Sequence, residues 1–120
     1  MRLSITKSKI AIILPYKEIY SNNYSGAVSI WVKDYMSKSI LSDITYIYGS
    51  LEKDLKPITK NFNNLRINNF LFSKTKNYIS KFYKDYLKKG FDIIEIHNRP
   101  EYLNFLIKNN IKSKLIFFFS

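Results

Sequence analysis

His97 is the single histidine in a chain of 120 residues. It ends the run Asp92-Ile-Ile-Glu-Ile-His97, and Asn98-Arg99-Pro100-Glu101 follow it. An imidazole there has three chemical uses: a general base, a hydrogen-bond donor to a hydroxyl, or a metal ligand. With no cysteine and no Glu-x-x-His spacing, a metal site is not expected. The plain alternative is a core histidine, and the position at a strand's carboxyl end favours the functional use. Glu95 alternates with Ile94 and Ile96. It either forms a salt bridge at an edge or lies beneath a site. Arg99 either holds a phosphate or pairs with Glu101.

A second group is Ser25-Gly26-Ala27. Glycine lets a ligand come close to the backbone at a helix start, where free N–H groups and a partial positive charge suit phosphate. The chain has no GxGxxG and no lysine-bearing phosphate loop. Gly26 therefore reads equally well as an ordinary helix-start glycine.

Several chemistries are not expected. No Ser/His/Asp order or carboxylate pair is readable, and the absence of cysteine removes thiolate catalysis and disulfides. Aromatic residues make up 17% of the chain. They fall on helical stripes and strands, not interleaved with basic residues as on an RNA-binding sheet, so no nucleic-acid partner is expected. The net charge is +11. It points either to an anionic partner or to a composition rich in Lys, Asn, Ile and Tyr. The longest basic run is Lys88-Lys89. Each lysine near an anionic lipid surface would add about 1 kcal/mol of attraction. No apolar run nears the roughly 20 residues of a membrane span. Ile10–Leu14 is too short, and too close to Lys7 and Lys9, for a signal peptide. The expected location is cytoplasmic, with peripheral contact at the inner face of the membrane.

The elements that would position these groups follow from hydrophobic period. Lys9–Pro15 is continuously apolar, as in a strand buried on both faces. Ser25 is the expected N-cap of a helix whose face is Val28, Trp31, Val32, Tyr35 and Met36. Asp43–Gly49 is the second strand, and Leu65–Ile67 a short third within a polar stretch. Lys74–Lys89 is a helix with the stripe Tyr78, Ile79, Phe82, Tyr83, Tyr86 and Leu87, closed by Gly90. It is expected to pack on the sheet, with a membrane-surface role as the alternative. Asp92–His97 is a strand, and Pro100 opens a helix to about Asn109. Lys114–Phe119 is the last strand. The alternation predicts one α/β domain with a Rossmann-like parallel sheet, flanking helices and strand order 3-2-1-4-5. Strand order reverses between the first and fourth strands. The 16–26 loop and the 97–100 turn should therefore face each other across a crevice. A bare final strand implies either pairing on both sides or a longer protein, and the latter is the favoured expectation.

The chain resembles the N-terminal domain of GT-B glycosyltransferases, most closely the family 4 group of lipopolysaccharide and surface-glycan synthesis. The resemblance spans nearly all of residues 1–120. It lies in Lys9–Pro15, in Ser25-Gly26-Ala27, and most specifically in Asp92–Tyr102. It implies an enzyme moving a sugar from a nucleotide-sugar donor to a lipid-linked or saccharide acceptor, with no cofactor. By position, Ser25 and Gly26 would approach the donor phosphates and His97 would be the catalytic histidine. Asn98 and Arg99 would line the same cleft. The family's usual Gly-Gly is Ser25-Gly26 here. A C-terminal donor domain would be the missing partner, and this chain alone would be nearly inactive. A non-catalytic flavodoxin-like binding or regulatory module is the alternative.

Overall fold

The computed structural model describes residues 8–22, 26–52, 54–66 and 73–119. Five strands form one sheet: β1 Ile10–Ile13, β2 Thr45–Gly49, β3 Phe62–Asn64, β4 Ile93–His97 and β5 Lys114–Phe118. Their order is β3-β2-β1-β4-β5 and every ladder is parallel. The helices are α1 Ala27–Lys38, α2 Lys74–Lys89 and α3 Pro100–Lys108. This is the expected α/β sheet in the expected order. β1 sits at its centre and all four of its residues are buried, which is why its sequence is continuously apolar.

Helices cover both faces. Val28, Val32 and Met36 of α1 pack on Ile12, Leu14 and Ile47. Tyr78, Ile79 and Phe82 of α2, with Tyr102 and Leu106 of α3, pack on Ala11, Ile13, Tyr48, Ile94 and Ile96. The basic helix α2 is thus a sheet-packing helix. Gly90 closes it as expected, and Ser73 caps its start. The Ser73 hydroxyl accepts from the Lys76 N–H at 3.3 Å, and Gly90 takes φ +67°, a conformation that favours glycine. Leu87, expected on the buried stripe, is exposed instead.

Other expectations shift. The third strand is Phe62–Asn64, not Leu65–Ile67. Asparagines disguised it. The Asn64 side chain donates to the Leu51 carbonyl at 2.7 Å and accepts from the Leu51 N–H at 3.0 Å, which fixes the strand end. Leu65 drops into the core just beyond it, and Ile67 lies outside the described residues. Residues Ser42–Ile44 form a 3-10 turn before β2. The N-cap of α1 is Gly26, not Ser25; Ser25 lies outside the described residues. β5 is an edge strand paired with β4 alone.

Candidate functional site

Strand alternation decides what surrounds His97. In the ladders Ile12 pairs with Glu95, Glu95 with Ile116 and His97 with Phe118. Side chains two apart on β4 share a face, so Glu95 and His97 both point to the α1 side. The imidazole is buried, at 5% exposure. It stacks on Phe118, with ring centres 4.8 Å apart and planes 10° apart. Trp31 of α1 tilts against it at 5.2 Å and against Phe118 at 5.4 Å. A cavity of about 210 Å³ opens beside them, lined by Ala27, Val28, Trp31, His97, Phe118 and Phe119. Burial holds the imidazole neutral, its pKa lowered to about 4.

The turn after β4 is specialised. Asn98 takes φ +59°, in the left-handed region that Asn tolerates better than most residues. Its N–H donates to the Phe118 carbonyl at 3.0 Å, tying the turn to the end of β5. Arg99 turns back and donates to the Asn98 carbonyl at 3.0 Å, with no ion pair to Glu101. Pro100 then opens α3.

The 16–26 loop begins against the opposite helical layer. The Tyr16 N–H donates to the Tyr102 hydroxyl at 3.1 Å, and the Tyr78 hydroxyl donates to the Leu14 carbonyl at 2.6 Å. Two tyrosines from α2 and α3 thus pin the chain as it leaves β1. Further on, the loop returns to α1. The Ser29 hydroxyl donates to the Ile19 carbonyl at 2.9 Å, and the Ser29 N–H donates to Glu18 Oε2 at 2.9 Å. The wall facing His97 is therefore the first turns of α1 and the end of β5. Among the described residues of this loop, neither 16–22 nor Gly26 lines the His97 cavity.

The start of α1 carries its own anion. A carboxylate at a helix N-terminus meets unpaired N–H groups and the positive end of the dipole. Glu18 takes that place, and it explains Gly26. The backbone there has φ −87° and ψ −178°, open to any residue. A Cβ at Gly26 would instead collide with the Glu18 carboxylate, whose carbon would lie 2.8 Å away. Gly26→Ala is expected to expel Glu18 and cost about 1 kcal/mol of stability, the usual worth of a helix cap. In a Glu18→Ala background the same change should cost nearly nothing. Urea unfolding of the four proteins checks this, and additive costs would refute the contact.

Of the expected site residues, the fold brings His97, Asn98 and Arg99 together and sets α1, just after Gly26, against the same cavity. Sequence reasoning missed Trp31 as a cavity wall, Phe118 and Glu18. Trp31 is the one tryptophan in the chain and looked like core, yet it is 45% exposed. Phe118 follows from the β4–β5 register alone. Glu18 had no capping-box spacing to reveal it. A larger cavity, about 490 Å³, lies between the C-terminal half of α1 and residues 58–61. It holds no comparable group. No cluster able to hold a metal occurs among the described residues, and no helix of theirs is long and apolar enough to cross a membrane.

No family model, curated protein or solved structure matches this chain.

Proposed function

We propose that the chain is the acceptor-side Rossmann-like domain of a glycosyltransferase. Such an enzyme moves a sugar from a nucleotide-sugar donor to a lipid-linked or saccharide hydroxyl, as in surface-glycan and lipopolysaccharide assembly. The observation that carries this is a buried, neutral imidazole on an aromatic cavity at the carboxyl edge of a parallel sheet. Small-molecule sites are mostly apolar with a few placed polar groups. Aromatic walls suit the C–H face of a sugar ring, and one imidazole suits a hydroxyl on its edge.

In this proposal His97 holds a hydroxyl of the reacting sugar or acceptor. Asn98 and Arg99 stand at the turn beside it. The donor diphosphate approaches the first turn of α1, where a phosphate must displace the Glu18 carboxylate before using the helix N–H groups. Helix N–H groups and basic side chains can carry the charge of the leaving diphosphate. The nucleotide itself is held by a second domain. The charge of +11 favours peripheral contact with anionic lipid.

The test is a transfer assay on the protein that carries this chain, with radiolabelled nucleotide-sugars and lipid and saccharide acceptors. Label is expected in an acceptor fraction for at least one donor. Residues 1–120 alone should transfer almost none. Failure with every donor, together with no saturable nucleotide-diphosphate binding, overturns the proposal.

A further inference from the structure

Beneath His97 lies a second titratable group that the proposed function does not use. Glu95 is 8% exposed and its cross-strand neighbours are Ile12 and Ile116. Its Oε1 has no hydrogen-bond partner, and neither does His97 Nε2. These two atoms face each other 3.9 Å apart. Buried polar groups are nearly always bonded, and these two unpartnered atoms meet between apolar cross-strand neighbours. A movement of about 1 Å would close the pair to an N–H···O bond of ordinary length.

We propose that Glu95 is the positioning residue for His97: its carboxyl takes the Nε2–H and leaves Nδ1 as the lone pair offered to the cavity. The two ring nitrogens flank one carbon and point in diverging directions. A ring whose Nε2 is turned inward to Glu95 therefore presents Nδ1 outward. Nδ1 then accepts a hydrogen bond from a neutral hydroxyl in the aromatic cavity. The carboxyl fixes both tautomer and ring orientation, as the partner of a working histidine does. Burial raises the pKa of Glu95, and Oε1 accepts the Nε2–H whether or not the group carries a proton on its other oxygen. This assignment rests on reading the His97 cavity as the place where a hydroxyl is handled.

The single histidine makes the test direct. In protein labelled with ¹⁵N at histidine, one pair of ring-nitrogen resonances reports the tautomer with no substrate present. The expected result is a protonated Nε2, a bare Nδ1, and a downfield, slowly exchanging Hε2 signal. Glu95→Met should lose that proton signal, and Glu95→Gln, whose amide oxygen still accepts, should keep it. Met nearly conserves the side-chain volume between the apolar neighbours Ile12 and Ile116, so the variant should remain folded. A protonated Nδ1 in the wild type, or an Hε2 signal unchanged in Glu95→Met, overturns the proposal. In the transfer assay Glu95→Met should lower kcat at least tenfold with KM little changed, and Glu95→Gln should recover most of it. The expected ring-nitrogen pattern without any sugar transfer would sink the glycosyltransferase proposal and leave the pair standing. Transfer with kcat unaffected in Glu95→Met would do the reverse.

Discussion

His97→Ala is expected to lower the proposed sugar transfer by about 10²- to 10⁴-fold, the usual worth of a positioned proton-handling group. The fold should survive the change. The imidazole lies at the end of β4 under Trp31 and Phe118, and removing it only enlarges a cavity already present beside it. Normal far-UV circular dichroism with lost transfer would mark a functional role, while unchanged transfer would make His97 a core residue.

The same variant should change how stability depends on pH. In the folded chain burial lowers the His97 pKa to about 4, while an unfolded histidine titrates near 6.5. Between those values the unfolded chain binds a proton that the folded chain refuses. The contribution of His97 is therefore complete above about pH 6.5 and is lost as pH falls toward 4. The expected loss is about 1–2 kcal/mol between pH 7 and 5, allowing for partial solvent screening. Glu95 acts in the opposite sense. Its raised pKa means the folded chain takes up that proton first, which offsets part of the loss at the acid end. His97→Ala should flatten the slope between pH 6.5 and 5, and urea midpoints at pH 7 and 5 measure it. An equal slope in both proteins would show that other groups set it.

Phe82→Ala carries the largest expected cost in stability, about 3–5 kcal/mol. The Phe82 ring is fully buried. It meets Tyr48 edge-on at 4.8 Å and stacks on Phe91 at 6.0 Å. One side chain thus joins α2 to β2 and to the segment entering β4. Small domains are stable by about 5–15 kcal/mol, so this loss consumes a large share. A fall in Tm of about 10–20 °C is expected. A fall below about 5 °C would mean that the neighbouring rings close the cavity. Trp31 is a useful contrast. It is half-exposed at a cavity wall, so Trp31→Ala should cost far less stability.

The fold was largely legible in the sequence, for identifiable reasons. β1 and β4 announce themselves as short apolar runs because both of their faces are covered. The bounds of α2 were readable to the residue from its 3.6-residue stripe and Gly90, although Leu87 of that stripe is exposed. β3 was not, because Asn64 bonds to the backbone of residue 51, and a side chain satisfied from afar looks like loop in sequence. The N-cap of α1 was misplaced by one residue for a related reason. The cap comes from Glu18 across the loop, not from a neighbouring serine.

The candidate site divides along the same line. The place of His97 at the end of β4 was legible in sequence, because an apolar run stops there and a helix opens at Pro100. The walls of the site were decided by tertiary structure. Trp31 and His97 come from elements far apart in the chain, and Phe118 reaches the imidazole through the β4–β5 register. Hydrophobic periodicity reports that a face is buried, and it does not name what covers that face. The pairing of Glu95 with His97 shows both limits. Their spacing of two residues on one strand put them on a common face. Only the tertiary structure buried both and left Glu95 Oε1 and His97 Nε2 unpartnered and facing each other.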